Sequence, residues 1–214
     1  MTDFIFKGMI MRTITTEIYK FDELSDAAKE KARDWYREAS AGDDLDFVLE
    51  DAVTVAALMG IEISQRAWTN NYGFKGSTPE ICYSAGHVQG DYAAFEGRYT
   101  YRKGAAKAVR GYASRDAKLH RIAQALQDVQ ARNFYQLTAS CSTGRNWQDV
   151  SVDRADYRDM TDDAEEAVTE ALRDFAHWIY KQVLAEVDYQ SSDEYIDENI
   201  EANGYEFTEN GRRA

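Results

Sequence analysis

Apolar residues recur at helical spacing along much of the chain, and β-branched or aromatic runs separate those stretches. Residues 26–40 place Ala28, Ala32, Trp35, Tyr36 and Ala39 on one helical face, with Ser25 positioned as N-cap. Residues 45–59 repeat the pattern with Leu45, Val48, Leu49, Ala52, Val55, Ala56 and Met59, and Gly60 ends them. A short helix at 105–112 and a longer one at 115–132 follow, the latter striped by Leu119, Ile122, Ala123, Leu126 and Val129. The longest periodic run is 162–188, with Val168, Leu172, Phe175, Ala176, Ile179, Val183 and Val187 on its apolar face. A last helix, capped by Ser191 or Ser192, extends to about residue 203 before Gly204.

Strands are expected at 12–21, 61–63, 81–84, 93–101, 135–142 and 147–153, with a short one at 205–208. The last long pair forms a hairpin around Thr143-Gly144-Arg145-Asn146. Residues 70–79 are rich in Asn, Gly and Ser and carry the sole proline, Pro79, so they are expected to be turns. The order of elements lacks the regular strand–helix alternation of a parallel sheet. The expected class is α+β: an antiparallel sheet of about five to six strands, helices packed on it, and acidic helices at the C-terminal end. Residues 11–214 are expected to form a single domain, with 155–214 as its acidic helical part and 1–10 as an N-terminal extension.

Composition fits a folded chain: 44% of the 214 residues are hydrophobic and 13% aromatic. No stretch approaches the roughly 20 apolar residues of a membrane span, and residues 1–12 lack a signal-peptide cleavage site, so the expected location is the cytoplasm, with no membrane partner. Cys82 and Cys141 sit in strand-like runs among small neighbours and are expected to be buried thiols.

Charge changes the picture. The net charge is −13, yet residues 155–214 hold 17 Asp/Glu against 5 Lys/Arg, while 98–145 hold 10 Lys/Arg against 2 Asp/Glu. An acidic end of this kind suits a basic partner, such as the nucleic-acid-binding surface of a host protein or nucleoprotein complex. Net repulsion opposes direct nucleic-acid binding, and the basic middle keeps it as a minor option. The residues expected to meet the partner are Asp162, Asp163, Glu165, Glu166, Glu170, Asp193, Glu194, Asp197 and Glu198.

Local signatures of catalysis are missing: no phosphate loop, dinucleotide fingerprint, nucleophile elbow or His-Glu-x-x-His occurs. No catalytic residue, metal or cofactor is assigned. One glycine-rich loop, with His87, Gln89, Asp91 and nearby Glu96, offers an imidazole and two carboxylates for acid–base or ligand chemistry. It supports a third reading as a small ligand-binding protein or enzyme. His120 and His177 fall within helices and are expected to be surface or core residues.

Residues 13–36, from Thr13-Ile14-Thr15-Thr16-Glu17 to Asp34-Trp35-Tyr36, resemble the opening of a group of small acidic proteins from phages and prophages. Gln89-Gly90-Asp91, Phe95-Glu96-Gly97-Arg98-Tyr99, Leu119-His120-Arg121-Ile122-Ala123, residues 131–139 and residues 205–213 are similar to later parts of the same group. The group is often labelled as the antitoxin of a toxin–antitoxin system. The resemblance implies a mobile element in a bacterial cytoplasm and brings no catalytic residue. In that setting the leading expectation is an inhibitor of a bacterial defence complex, of anti-CRISPR or anti-restriction type, acting through an acidic surface. The alternative is an antitoxin that sequesters a toxin protein.

Overall fold

A computed structural model describes residues 15–40, 44–85 and 90–214. In chain order, β1 (Tyr19–Lys20) leads through a 3-10 turn (Phe21–Glu23) to α1 (Asp26–Ala39) and α2 (Asp46–Met59). Six strands follow: β2 (Ile61–Ile63), β3 (Gln65–Thr69), β4 (Lys75–Pro79), β5 (Ile81–Ser84), β6 (Tyr92–Phe95) and β7 (Gly97–Thr100). Then come α3 (Ala105–Tyr112), α4 (Ala117–Arg132), β8 (Leu137–Thr143), β9 (Gln148–Arg154), α5 (Asp162–Gln190), α6 (Asp193–Ala202) and β10 (Glu206–Phe207). The class is α+β, and all strand pairs are antiparallel.

Contacts group the described residues into two compact units, one over residues 44–189 and the other formed by the flanking segments 15–40 and 190–214. Each unit has its own apolar cluster. The acidic stretch 155–214 is thereby divided between them.

In the larger unit the sheet runs β2-β7-β8-β9. Ile61, Ile63, Tyr99, Leu137, Ala139, Cys141 and Val152 point into the core, and Glu62, Arg98, Ser140 and Ser151 face out, the alternation of a sheet with one solvated face. Gly60, at φ +86°, turns the chain directly from α2 into β2. Two buried glutamines stand in for missing strand partners. Gln148 accepts from the Phe95 N–H at 2.8 Å and donates to the Phe95 carbonyl at 3.0 Å. Gln130 accepts from the Leu137 N–H at 3.2 Å and donates to its carbonyl at 2.7 Å. Asp116 caps α4 through the Leu119 N–H and also accepts from the Trp178 indole of α5 at 2.7 Å.

The expected single sheet of five to six strands is divided instead into one of four strands and three pairs: β1-β10, β3-β4 and β5-β6. The physical reason is a three-way junction. The N–H of Ser64 donates to the Glu96 carbonyl, that of Glu96 to Glu80, and that of Glu80 to Ser64, at 2.8, 2.9 and 2.8 Å. Each of the three residues joins two strands, β2 to β3, β4 to β5 and β6 to β7, so two hairpins, β3-β4 and β5-β6, and the β2-β7 pair of the four-stranded sheet diverge from one closed ring of hydrogen bonds. Gly97 is required beside it, because a Cβ there would run into the Glu62 backbone.

In the smaller unit Phe21, Leu24, Ala28, Ala32, Ile196, Ile200 and Phe207 form the core. The Trp35 ring meets those of Tyr205 and Phe207 edge-on at 5.1 and 5.7 Å. The expected strand over 12–21 shrinks, among the described residues, to β1. Its partner β10 is itself only two residues long, and Phe21 turns inward to be buried.

Candidate functional site

The first turns of α5 carry Asp162, Asp163, Glu165, Glu166 and Glu170, all exposed and without an ion pair among the described residues. The helix dipole favours anions there. The opposite face, with Ala164, Val168, Ala171, Leu172 and Phe175, is buried and fixes the orientation of the carboxylates. Asp163 and Arg132 also line a cleft of about 270 Å3 with Val129, Asn133, Thr161 and Ala164.

The four acids of α6 belong to the other unit and divide into two roles. Asp197 receives both arms of the Arg33 guanidinium, at 2.6 Å each. Asp193 meets Arg37 at 2.6 Å and Arg33 at 3.4 Å. These contacts tie α1 to α6, and the Asp197 hydrogen bond raises the Arg33 pKa. Glu194 and Glu198 are exposed, with no ion pair among the described residues.

Of the glycine-rich loop, His87 and Gln89 lie outside the described residues. Asp91 accepts from the Tyr180 hydroxyl at 3.1 Å; burial and this carboxylate raise the Tyr180 pKa. Glu96 belongs to the three-way junction, and its carboxylate accepts from the Thr143 N–H at 2.7 Å. Both carboxylates thus serve the packing of their own unit. No group of three or more His, Cys, Asp or Glu stands at metal-binding distance among the described residues. His120 Nε2 lies 2.8 Å from the Ala113 carbonyl, and His177 tilts against the Tyr180 ring. Cys141 is buried as expected, and desolvation pushes its thiol up to about 12. Cys82 is exposed, contrary to expectation, because the alternation of β5 turns Ile81 inward and Cys82 outward.

Two features were not foreseen. The first is the β3-β4 arm, which covers residues expected to be turns. Asn70 Oδ1 accepts from the N–H groups of Tyr72 and Phe74, both at 3.0 Å, and closes its tip. All five residues of β3 are exposed. The Asn-Gly-rich tip was legible; its flanks were not, since neither alternates.

The second is an aromatic end on the larger unit. Three non-glycine residues have positive φ among the described residues, Phe134 (57°), Tyr135 (63°) and Tyr157 (56°). A left-handed backbone is costly for such bulky side chains. All three lie in the connections that meet at one end of β8-β9, where Leu137 pairs with Arg154 and the Ala155 N–H donates to the Gln136 carbonyl at 2.8 Å. Phe134 is 75% and Tyr157 98% exposed, and the Tyr135 ring lies tilted against that of Tyr101, with centroids 4.4 Å apart. Beside them, the Arg154 fork holds Asp156 down to about 2.

The observations define an α+β protein with several exposed carboxylates and aromatics among the described residues. No helix among those residues is long and apolar enough to cross a membrane. The chain belongs to the family described as Domain of unknown function (DUF8835), whose model matches residues 45–193. The matched stretch nearly coincides with the larger unit and includes the acidic turns of α5, the β3-β4 arm and the aromatic end. No curated protein and no solved structure matches the chain.

Proposed function

We propose that this protein binds and inhibits a bacterial defence complex, presenting the acidic first turns of α5 to a basic, nucleic-acid-binding surface. The observation that carries the reading is the set of five exposed carboxylates at Asp162, Asp163, Glu165, Glu166 and Glu170, with no ion pair among the described residues. Carboxylates fixed on one helix can compete with phosphates for Lys and Arg and accelerate encounter with a basic partner. The setting, a phage or prophage protein in a bacterial cytoplasm, comes from the sequence resemblance. On the smaller unit Glu194 and Glu198 are exposed by themselves, while Asp193 and Asp197 are already engaged with arginines. The test is capture from host lysate at low and high salt. The reading requires a stoichiometric nucleic-acid-binding complex that dissociates as salt rises, and it fails if such a complex binds a charge-reversed α5 equally well.

A second reading is an antitoxin that sequesters a toxin protein. Exposed Phe134, Tyr135 and Tyr157 favour it, since aromatic side chains dominate protein contacts. It requires a single salt-resistant protein partner that is toxic when expressed alone, and binding lost in Phe134→Ala.

A further inference from the structure

We propose that the β3-β4 arm is a stacking platform for single-stranded nucleic acid, with Trp68 and Phe74 taking bases and Arg66 meeting a phosphate. The inference goes beyond the acidic contact of α5 and does not depend on it. In the arm, Trp68 pairs with Gly76, Arg66 with Thr78, and Asn70 bonds across to Phe74. Side chains directly opposite in an antiparallel pair share a face, so Arg66, Trp68 and Phe74 lie on the same side.

The Trp68 ring lies face-down on Gly76. Three neighbouring carbons of its six-membered ring lie within 3.0 Å of the position a Cβ would occupy there, the pattern of a point beneath the ring face rather than beside its edge. One π-face covers the glycine, and the other is left outward. Covering a strand glycine is itself a stabilising device. It does not account for Phe74, 69% exposed, or for Tyr72, 88% exposed at the tip, against 45% for Trp68 itself. A flat outward ring, an exposed phenyl on the same face and a third ring at the tip form a surface on which successive bases can stack.

Charge points to the occupant. Residues 65–79 contain Arg66 and Lys75 and no Asp or Glu, in a chain of net charge −13. Arg66 touches Glu80, at the root of the arm, through Nε at 3.3 Å, and its side chain is largely exposed. At about 0.1 M salt, charges more than about 10 Å away are largely screened. Within that distance the arm sets Arg66 and Lys75 against Glu80 at its root, and its tip carries no carboxylate. A groove of about 280 Å3 adjoins the root, lined by Arg66, Trp68 and Thr78 and also by the Glu80 that meets Arg66.

The test uses the full chain and a dye-labelled oligothymidylate at about 0.1 M salt, read by anisotropy and by quenching of tryptophan fluorescence. Wild type is expected to bind, with log K falling by about 0.7 to 1.4 per log unit of salt, the slope of one or two phosphates. Trp68→Ala and Phe74→Ala are each expected to weaken binding between about fivefold and a hundredfold, and Trp68→Phe to restore part of it. Tyr72→Ala, at a tip where the ring supports nothing, guards against an arm that merely melts; it is expected to lose binding with an unchanged circular-dichroism spectrum. The proposal is overturned by absence of binding, by binding that all three alanine variants retain, or by sedimentation showing a dimer in which Trp68 is shielded from quenchers. Capture of a protein through Trp68, with no affinity for the oligonucleotide, also overturns it.

Discussion

Arg33 on α1 grips Asp197 on α6 with two hydrogen bonds of 2.6 Å each. The paired geometry is the strong form of an Arg–carboxylate contact, and partial exposure on both sides limits its worth. Asp197→Asn is expected to lower the stability of the smaller unit by about 1–2 kcal/mol, visible as an earlier transition in urea. Partner capture should be unaffected once the protein is folded. Loss of capture at full stability would instead place Asp197 in the contact.

Gln148 supplies both hydrogen bonds that a neighbouring strand would give Phe95. Removing the amide leaves a buried N–H and a buried C=O without partners, at about 1–3 kcal/mol for each group. Gln148→Leu is therefore expected to destabilise the larger unit by about 2–6 kcal/mol, measured by equilibrium unfolding. A loss below about 1 kcal/mol would mean that water or another side chain replaces the clamp.

The alkaline limb of stability follows from Cys141 and Tyr99, both buried and both pushed up to about 12 by desolvation, from ordinary values of 9.0 and 10.0. Between those values the unfolded chain releases protons that the folded chain retains, so stability falls as pH rises. The unfolding midpoint is expected to drop steadily from about pH 9 to pH 12, and less steeply in Cys141→Ala. At pH 8 an aromatic disulfide reagent should titrate the exposed Cys82 quickly and Cys141 only after unfolding. Equal reactivity of the two thiols would contradict the burial of Cys141.

Helices were the most legible part of the fold. The stripes of α2, α4 and α5 are long, and local residues mark helix ends, Gly60 at the close of α2 and Ser192, accepting the Tyr195 N–H, at the start of α6. What escaped depends on residues distant in sequence. The junction of Ser64, Glu80 and Glu96 breaks the sheet through bonds that no local pattern encodes. The β3-β4 arm was hidden because it buries almost nothing, so no alternation marks it. For the site, the acids of α5 could be chosen from charge and periodicity alone. The loss of Asp193 and Asp197 to Arg37 and Arg33 could not, since the partners lie on α1, at the other end of the chain.

In the proposed complex the exposed carboxylates of α5 form the contact with a basic partner. The most direct measurement is the association rate of that partner with wild type and with a fourfold variant carrying Asp162→Lys, Asp163→Lys, Glu165→Lys and Glu166→Lys, across a range of salt. An on-rate at least about tenfold lower is expected for the variant at low salt, with a flattened salt dependence and the fold intact by circular dichroism. An on-rate and a salt slope equal to those of wild type would contradict it.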